Sequence, residues 1–178
     1  EGLEPVRKRP GMYIGSTNQD GLHHLVNEVL DNSIDEVLAG HATDISFEYR
    51  KDGTIKIKDN GRGIPIDFHP KYKNKRALEV VLTTLHAGGK FNSNAYKTSG
   101  GLHGVGISVV NALSSLLQVQ VFKDGKVYRQ DYSKGKVKTK IKIEKCSKKL
   151  KGTEISFLPD DSIFEETQFV PKKLYNFI

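Results

Sequence analysis

The chain has 178 residues, of which 37% are hydrophobic, and a formal net charge of +7. This length and apolar content suit one domain with a substantial core and argue against disorder. No apolar run approaches the roughly 20 residues of a membrane helix, and the charged N-terminus lacks the apolar segment of a signal peptide. The lone cysteine, Cys146, cannot form an internal disulfide, which favours a reducing, cytoplasmic compartment.

The first half of the chain predicts a lead-in, a helix and a hairpin. Residues 1–15 are basic and rich in turn formers, so we expect them to be extended. Apolar residues at helical spacing then predict a helix that follows Asp20-Gly21 and ends at Gly40. The apolar positions of this helix are Leu22, Leu25, Val26, Val29, Leu30, Val37 and Leu38. Alternation on both sides of a turn predicts a hairpin with strands at 45–49 and 55–57.

The second half predicts two helices, a long loop and several strands. The helices are expected at 77–86 and 108–113, and the Gly-, Asn- and Ser-rich stretch at 88–106 predicts either a functional lid or a disordered loop. The strands are expected at 119–122, 127–132 and 155–158, and Pro171 opens a terminal helix. Early helices and late strands indicate an α+β fold, a two-layer α/β sandwich that forms a single domain over 1–178.

Lysines recur at every second position between residues 134 and 142, and apolar residues stand between several of them. This period of two predicts a strand with one lysine face and one apolar face. The simpler interpretation of the lysine face is solvated surface, and the alternative is a weak nucleic-acid footprint. No aromatic residues interleave with the lysines as a base-stacking surface requires.

A glycine-rich run occupies residues 98–108, just before an apolar stretch that can continue as a helix. Glycines at 100, 101, 104 and 106 let backbone N–H groups face a ligand, and a helix N-terminus adds further donors. The run is not a P-loop, because no Gly-Lys-Ser/Thr follows it. It therefore predicts a phosphate site, although an ordinary turn has the same composition.

Polar residues form a second face on the early helix. His24, Glu28 and Asn32 are spaced four residues apart and lie on one side. A histidine one turn from a glutamate suits proton transfer from water, and an amide oxygen suits Mg²⁺ that is also bound by phosphates. The alternative is an ordinary solvent-exposed face.

Asp59 ends the second predicted strand beside Gly61 and Gly63. A buried carboxylate there can accept a hydrogen bond from an exocyclic amine such as that of adenine, and the glycines let a flat ring approach. Asp59-Asn60-Gly61 is also common turn chemistry.

These segments together resemble the ATPase domains of bacterial type II topoisomerase B subunits, in the superfamily that also includes Hsp90, histidine kinases and MutL. The shared superfamily motifs are Glu28-x-x-x-Asn32, Asp59-x-Gly61-x-Gly63 and Gly101-Leu-His-Gly104-Val-Gly106. The runs that resemble the subfamily are 6–15, 31–36, 85–91 and 99–113. Segments 31–33, 69–72 and 77–79 are more similar to topoisomerase IV than to gyrase.

The resemblance implies a role for each matching residue. Glu28 would activate water with support from His24, and Asn32 would hold Mg²⁺ against the phosphates of ATP. Asp59 would bind the adenine amine, with Thr153 helping through a water. The other nucleotide contacts would be Arg62, Gly63, Ile64, Pro65, Lys90, Gly101, Leu102, His103, Gly104, Val105, Gly106 and Ile107. The apolar pocket walls would be Val29, Ile57, Val81 and Ile155.

Further implications concern the edges of the site. Glu36 would stabilise Arg62 beside the adenine pocket, and 88–99 would form a mobile lid. Lys123 stands at the pocket mouth where many relatives carry arginine, so contacts at that edge are expected to differ, because lysine is a poorer stacking and bidentate partner.

The resemblance also implies an architecture and partners. The fold would be a mixed, mostly antiparallel sheet with helices on one face. ATP binding would close a dimer gate during DNA strand passage by topoisomerase IV, an enzyme that also contains an A subunit, away from any membrane. The 178 residues include neither the N-terminal arm nor the transducer domain of the family, so we expect a monomer that binds ATP and hydrolyses it slowly.

Rival interpretations remain open on the sequence. The nearest is the B protein of gyrase, and a more distant one is a chaperone-type or mismatch-repair ATPase. A rival of a different class is a non-enzymatic DNA-binding module that uses the late lysines.

Overall fold

The structure, a computed structural model, describes residues 2–85 and 106–169. The helices in these ranges are α1 (Glu4–Lys8), α2 (Gly11–Ile14), α3 (Gln19–Leu38), α4 (Ala77–Thr83) and α5 (Ile107–Ala112). The strands are β1 (Ile45–Tyr49), β2 (Ile55–Asp59), β3 (Ser114–Lys123), β4 (Lys126–Ser133), β5 (Lys136–Val137), β6 (Lys142–Lys145) and β7 (Gly152–Pro159). No helix in these ranges combines the length and apolar character needed to traverse a bilayer.

The strands form one sheet in the order β1-β2-β7-β3-β4-β5, and β6 also pairs with β4. Each of these pairs is antiparallel. The α+β two-layer class predicted from the sequence is confirmed. The described strands contain none of the parallel pairing that a mixed sheet would have.

One face of the sheet and the helices enclose the core. Phe47, Ile57, Ile155 and Val119 lie in one cross-strand row, since each is the register partner of the next. Leu25 and other apolar residues of α3 pack in the same buried cluster. Burying each such large side chain contributes about 1.5–3 kcal/mol. The opposite face of the central strands carries polar residues, so the helices cover one side of the sheet.

Helix α3 carries several of the residues singled out from the sequence. The Asn18 side chain caps its start by accepting from the Asp20 N–H at 2.9 Å. The apolar stripe predicted for this helix ends sooner than expected, because Val37 and Leu38 are 39% and 74% exposed. In the last two turns the buried positions are polar, namely Ser33 and Glu36.

The extended lead-in predicted for residues 1–15 is wrong, because the chain forms α1 and α2 there. A long-range contact stabilises this segment. Arg7 donates from Nη1 to the Ala112 carbonyl at 2.8 Å, and its Nη2 lies 2.9 Å from Asp160 Oδ2. A cation at the C-terminus of α5 satisfies a carbonyl that the helix leaves unpaired.

The long lysine strand predicted at 134–143 is also wrong. Strand β4 pairs with two separate short strands, β5 and β6, and the chain between them leaves the ladder. The apolar face predicted for this strand is not buried, since Val137 and Ile143 are 41% and 45% exposed. The lysines therefore do not form one continuous face.

Other boundaries differ by a few residues. Strands β3, β4 and β7 extend beyond the predicted cores, and α4 ends at Thr83 rather than at 86. The lid at 88–99, most of the glycine-rich run and the terminal helix from Pro171 lie outside the described residues.

Candidate functional site

Helix α3 contacts both segments that the sequence singled out. One turn places the Glu28 carboxylate where it accepts from the Gly106 N–H, with 3.2 Å between Oε1 and N. Slightly more than one turn later, Ser33 Oγ donates to Asp59 Oδ2 at 2.7 Å. A single helix therefore connects the end of the glycine-rich run to the end of β2.

Glu28 is buried, with only 8% of its surface exposed. Burial raises the pKa of this carboxyl to about 7; the Gly106 N–H opposes the rise and the nearby Asp31 charge adds to it. His24 Nε2 lies 3.7 Å from Glu28 Oε2. A carboxyl that titrates near neutral pH next to an imidazole is suited to general base catalysis.

Asp59 is almost completely buried at the end of β2. Burial raises the pKa of its carboxyl, whereas the Ser33 hydroxyl and the N–H groups of Gly61 and Thr153 lower it, and the Glu36 charge raises it again. The net direction is upward. The Gly61 N–H donates to Oδ1 at 2.9 Å, so each carboxylate oxygen has a donor within the protein.

Thr153 lies beside Asp59 on the neighbouring strand. Besides its N–H contact with that carboxylate, its hydroxyl accepts from the Ile64 N–H at 3.0 Å. The predicted base-contacting residues Asp59, Thr153 and Ile64 are thus connected by hydrogen bonds.

Glu36 and Arg62 form a bidentate pair. Arg62 Nη2 lies 2.7 Å from Glu36 Oε2 and Nε lies 3.2 Å from Oε1, which also accepts from the Arg62 N–H at 2.8 Å. Burial favours a high pKa for Glu36, but the Arg62 donors and the charges of Arg62 and His41 outweigh it and hold the pKa below its usual value. The expected contact between Glu36 and Arg62 is present.

Glycine is required where the turn after β2 approaches its neighbours. A Cβ at Gly61 would lie 2.8–2.9 Å from three side-chain atoms of Glu36. A Cβ at Gly152 would lie 1.9 Å from the Asp59 carbonyl oxygen, and its φ of +117° is itself unfavourable for other residues. The approach of the turn to Glu36 and the approach of β7 to the end of β2 therefore both require glycine.

The other predicted site residues lie around these groups. Asn32 is half-buried, one turn after Glu28. The predicted pocket walls Val29, Ile57 and Ile155 are about 1% exposed and belong to the core, as does Ile64. Gly63 and Ile107 are buried, and Pro65 and Val81 are half-buried. Lys90, Gly101, Leu102, His103, Gly104 and Val105 lie outside the described residues.

The sequence interpretation missed the role of Ser33. Its hydroxyl is the side-chain donor to Asp59, and the residue is 3% exposed. A signal was available, since Ser33 lies four residues after Val29 and three before Glu36, on the same helix face. A buried serine beside apolar neighbours needs a partner, and Asp59 provides it.

Described residues line two clefts of note. A cleft of about 720 Å³ includes Gly61 and Arg62 in its wall. A cleft of about 420 Å³ lies between α1, α4 and the β4–β5 turn, and none of the predicted site residues lines it. The described residues contain no cluster of three or more His, Cys, Asp or Glu side chains that could hold a metal ion.

The fold and this arrangement of carboxylates define a nucleotide-binding domain, and comparison with known proteins assigns its family. Residues 17–163 match the family model described as histidine kinase-, DNA gyrase B-, and HSP90-like ATPase. The chain belongs to this ATPase family.

Individual relatives are more similar still. The B subunit of DNA topoisomerase 4 from Rickettsia bellii is 61% identical over 176 residues, which is 98% of this chain and 27% of the relative. The B subunit of DNA gyrase from Thermotoga maritima is 58% identical over 171 residues, 96% of this chain and 27% of the relative. The chain thus spans about a quarter of the length of these relatives.

A solved structure has the same fold. The 43K ATPase domain of Thermus thermophilus gyrase B, in complex with an aminocoumarin, superposes with a TM-score of 0.85 and 43% identity. The match covers 98% of this chain and 43% of that one.

Proposed function

We propose that this chain is the ATP-binding and ATP-hydrolysing module of the B protein of a type II topoisomerase, in which the ATPase cycle drives DNA strand passage. Topoisomerase IV is the favoured enzyme, because the relative from Rickettsia bellii is 61% identical. Gyrase is the alternative, since the relative from Thermotoga maritima follows closely at 58%.

The observation that carries the proposal is the double contact of α3. Glu28 accepts from Gly106 at the end of the glycine-rich run, and Ser33 donates to Asp59 at the end of β2. A nucleotide bound along this helix has its phosphates near Glu28 and its base near Asp59. Hydrolysis requires the terminal phosphate to lie beside the general base, and this orientation of the nucleotide meets that requirement.

Glu28 is the proposed general base. Its carboxyl has a pKa of about 7, so a substantial fraction of the molecules has Glu28 ionised at neutral pH and able to accept a proton from water. His24, whose Nε2 lies 3.7 Å from Glu28 Oε2, supports the base. The attacking water is thereby oriented toward the terminal phosphate, which is lost as inorganic phosphate.

Asp59 is the proposed receptor of the base. Its ionised carboxylate accepts a hydrogen bond from an exocyclic amine, which adenine has and which guanine and hypoxanthine lack at the same position. The Ser33, Gly61 and Thr153 donors favour the ionised form in a site that burial would otherwise neutralise. Arg62 borders this end, oriented by Glu36.

The donor set around α3 fits Mg²⁺. Asn32 offers a neutral amide oxygen one turn from Glu28, on a half-buried position that a ligand can reach. Mg²⁺ retains several waters and takes substrate phosphates as ligands, so it needs few protein groups. Asn32 would hold the ion, which would neutralise phosphate charge.

The remaining contacts and partners follow the sequence expectations. Lys90 and 101–105 are proposed to complete the phosphate site, and Val29, Ile57, Val81 and Ile155 to back the base. The full enzyme is proposed to act in the cytoplasm, to contain the A protein of topoisomerase IV together with a second copy of the B protein, and to act on DNA.

Two substitutions test the function. Glu28→Ala is expected to retain ATP binding and abolish hydrolysis, whereas Asp59→Ala is expected to abolish binding. Isothermal titration with a non-hydrolysable ATP analogue measures the first quantity and phosphate release measures the second. Asp52→Ala, on the exposed turn of the β1–β2 hairpin, is the matched control for loss of a carboxylate.

The rival of a different class makes the opposite prediction. If neither carboxylate substitution changes nucleotide binding or hydrolysis, while removal of lysines abolishes DNA binding, the chain is a DNA-binding module and the ATPase proposal is wrong.

A further inference from the structure

Three lysines line one surface cleft, and two more lie beside it on neighbouring strands. Lys123, Lys148 and Lys151 line the cleft of about 720 Å³, near the end of α3. Lys126 is the register partner of Lys123 on one side and of Lys145 on the other. We call this group of five lysines the basic cleft.

The charge of the basic cleft is not neutralised by the protein. Among the described residues, none of its five lysines forms an ion pair, and two of the nearby acids pair with other residues. Glu144 pairs with Arg129 and Glu154 pairs with Lys56, each at 3.3 Å. Asp124 is the one carboxylate among the described residues that line the cleft.

This arrangement does not stabilise the fold. Lysines directly opposite one another, as Lys126 and Lys145 are, repel and weaken strand pairing. The backbone nevertheless holds them in place, since the Cys146 N–H donates to the Gly125 carbonyl at 2.8 Å across the same corner. The lysines are thus concentrated on a fixed surface at a cost to stability, which points to an anionic partner.

We propose that the basic cleft binds the phosphate backbone of duplex DNA. The inference extends the proposed function, because it places a DNA contact on the ATPase module itself. Lysines act as point charges, which suffices for phosphates and requires no base-edge or stacking geometry. The relatives from Rickettsia bellii and Thermotoga maritima are named for enzymes that act on DNA.

An acidic protein is the less favoured partner. Protein interfaces have cores enriched in aromatic residues and depleted in lysine. The cleft has two large apolar side chains in its wall: the half-buried Phe122 and Leu150, which is 40% exposed. Lysines line the same wall, which suits contact with a phosphate backbone better than contact with a protein surface.

The test compares two triple substitutions of equal charge. One variant carries Lys126→Gln, Lys145→Gln and Lys148→Gln, all exposed positions of the basic cleft. The control carries Lys136→Gln, Lys138→Gln and Lys140→Gln, exposed lysines from the segment that the sequence suggested as a basic strand. Fluorescence anisotropy follows binding of a labelled duplex of about 30 base pairs while salt is varied from about 50 to 200 mM.

The cleft variant is expected to bind DNA at least about tenfold more weakly, and its slope of log affinity against log salt falls by about 2.7, since each lost phosphate contact contributes about 0.9. The control is expected to change affinity by less than about threefold. Equal losses in both variants would mean that net charge alone drives binding and would overturn the proposal. So would DNA affinity unaffected by the cleft substitutions.

Two further measurements separate the possible failures. Polyglutamate at equal charge concentration is expected to compete poorly with DNA; equal competition would indicate an acidic protein as the partner. ATP-analogue binding is expected to be unchanged in both triple variants, and Asp59→Ala is expected to retain DNA binding. Loss of DNA binding only in the cleft variant, with no nucleotide binding in any protein, would support the cleft and reject the ATPase.

Discussion

The two ends of the site treat a buried carboxylate in different ways. Asp59 receives a hydroxyl and two N–H donors from three parts of the chain. A carboxylate has about four acceptor sites, so one is left for the amine of the base. Among the described residues, Glu28 has one N–H donor, from Gly106, and an imidazole at 3.7 Å. The first arrangement suits a receptor that keeps its charge, and the second places an imidazole beside a carboxylate oxygen that can take part in proton transfer. Within the described part of the chain, donor number, as well as burial, therefore distinguishes the proposed binding carboxylate from the proposed reactive one.

The largest expected effect comes from Asp59→Asn at the receptor end. An amide presents N–H groups to the donors that surround it and can no longer accept at both oxygens, so ATP affinity should fall by more than about 100-fold, or about 2.7 kcal/mol. Titration calorimetry measures the loss, with Asp52→Asn as the control. Affinity within about threefold of the parent would show that this end does not hold the base.

The pH dependence of hydrolysis tests the reactive end. Because the base must be ionised, the rate below pH 7 should fall about tenfold per pH unit, and above the pKa of about 7 it should reach a plateau. Phosphate release at saturating ATP measures the profile. A rate that stays constant from pH 5.5 to about 8 would mean that no group with the raised pKa of Glu28 acts as base.

Glu28→Gln should stabilise the folded chain above neutral pH. The folded-state pKa of about 7 exceeds the ordinary 4.5, so the native state holds a proton that the unfolded chain releases, and stability falls as pH rises between these values. Glutamine escapes this loss, so we expect the variant to be more stable by about 1–2 kcal/mol at pH 8 and nearly equal at pH 4. Urea unfolding at both pH values checks the sign, and a destabilised variant at pH 8 would contradict it.

Ser33→Ala should have the smallest effect. It removes one of the donors of Asp59, which weakens ATP binding by about 1 kcal/mol, or about fivefold. It also raises the pKa of Asp59 further, so the loss of affinity on acidification should begin at higher pH than in the parent. Ser46→Ala on the exposed part of β1 is the control. Parent-like affinity and pH profile would leave Ser33 as a packing residue.

Sequence alone predicted the parts of the fold that rest on local pattern. Helix α3 follows from its apolar spacing, although it begins at Gln19 rather than after Gly21, and the β1–β2 hairpin follows from alternation around a turn. The α1–α2 segment was not predictable in this way, since its Arg7 contacts Ala112, 105 residues away. The alternation at 134–143 predicted one long strand, which was wrong. Strand length depends on the neighbouring strand, and β4 pairs with two short strands, β5 and β6.

The site divides along the same line. Glu28, Asn32 and Asp59 could be named from spacing and motif, because their chemistry is local to a helix face or a turn. The donors that distinguish the two carboxylates come from residues far along the chain, Gly106 for Glu28 and Thr153 for Asp59. Only folding brings them together, so the electrostatic contrast had no signal in the sequence.

The close approach at Gly61 and Gly152 limits how this surface can vary. Any side chain at Gly61 would displace Glu36 and so release Arg62, and any at Gly152 would strike the Asp59 carbonyl. Substitution at either position is therefore excluded on steric grounds unless Glu36 or the surrounding backbone moves. Neighbouring lysines that project into solvent are not limited in this way.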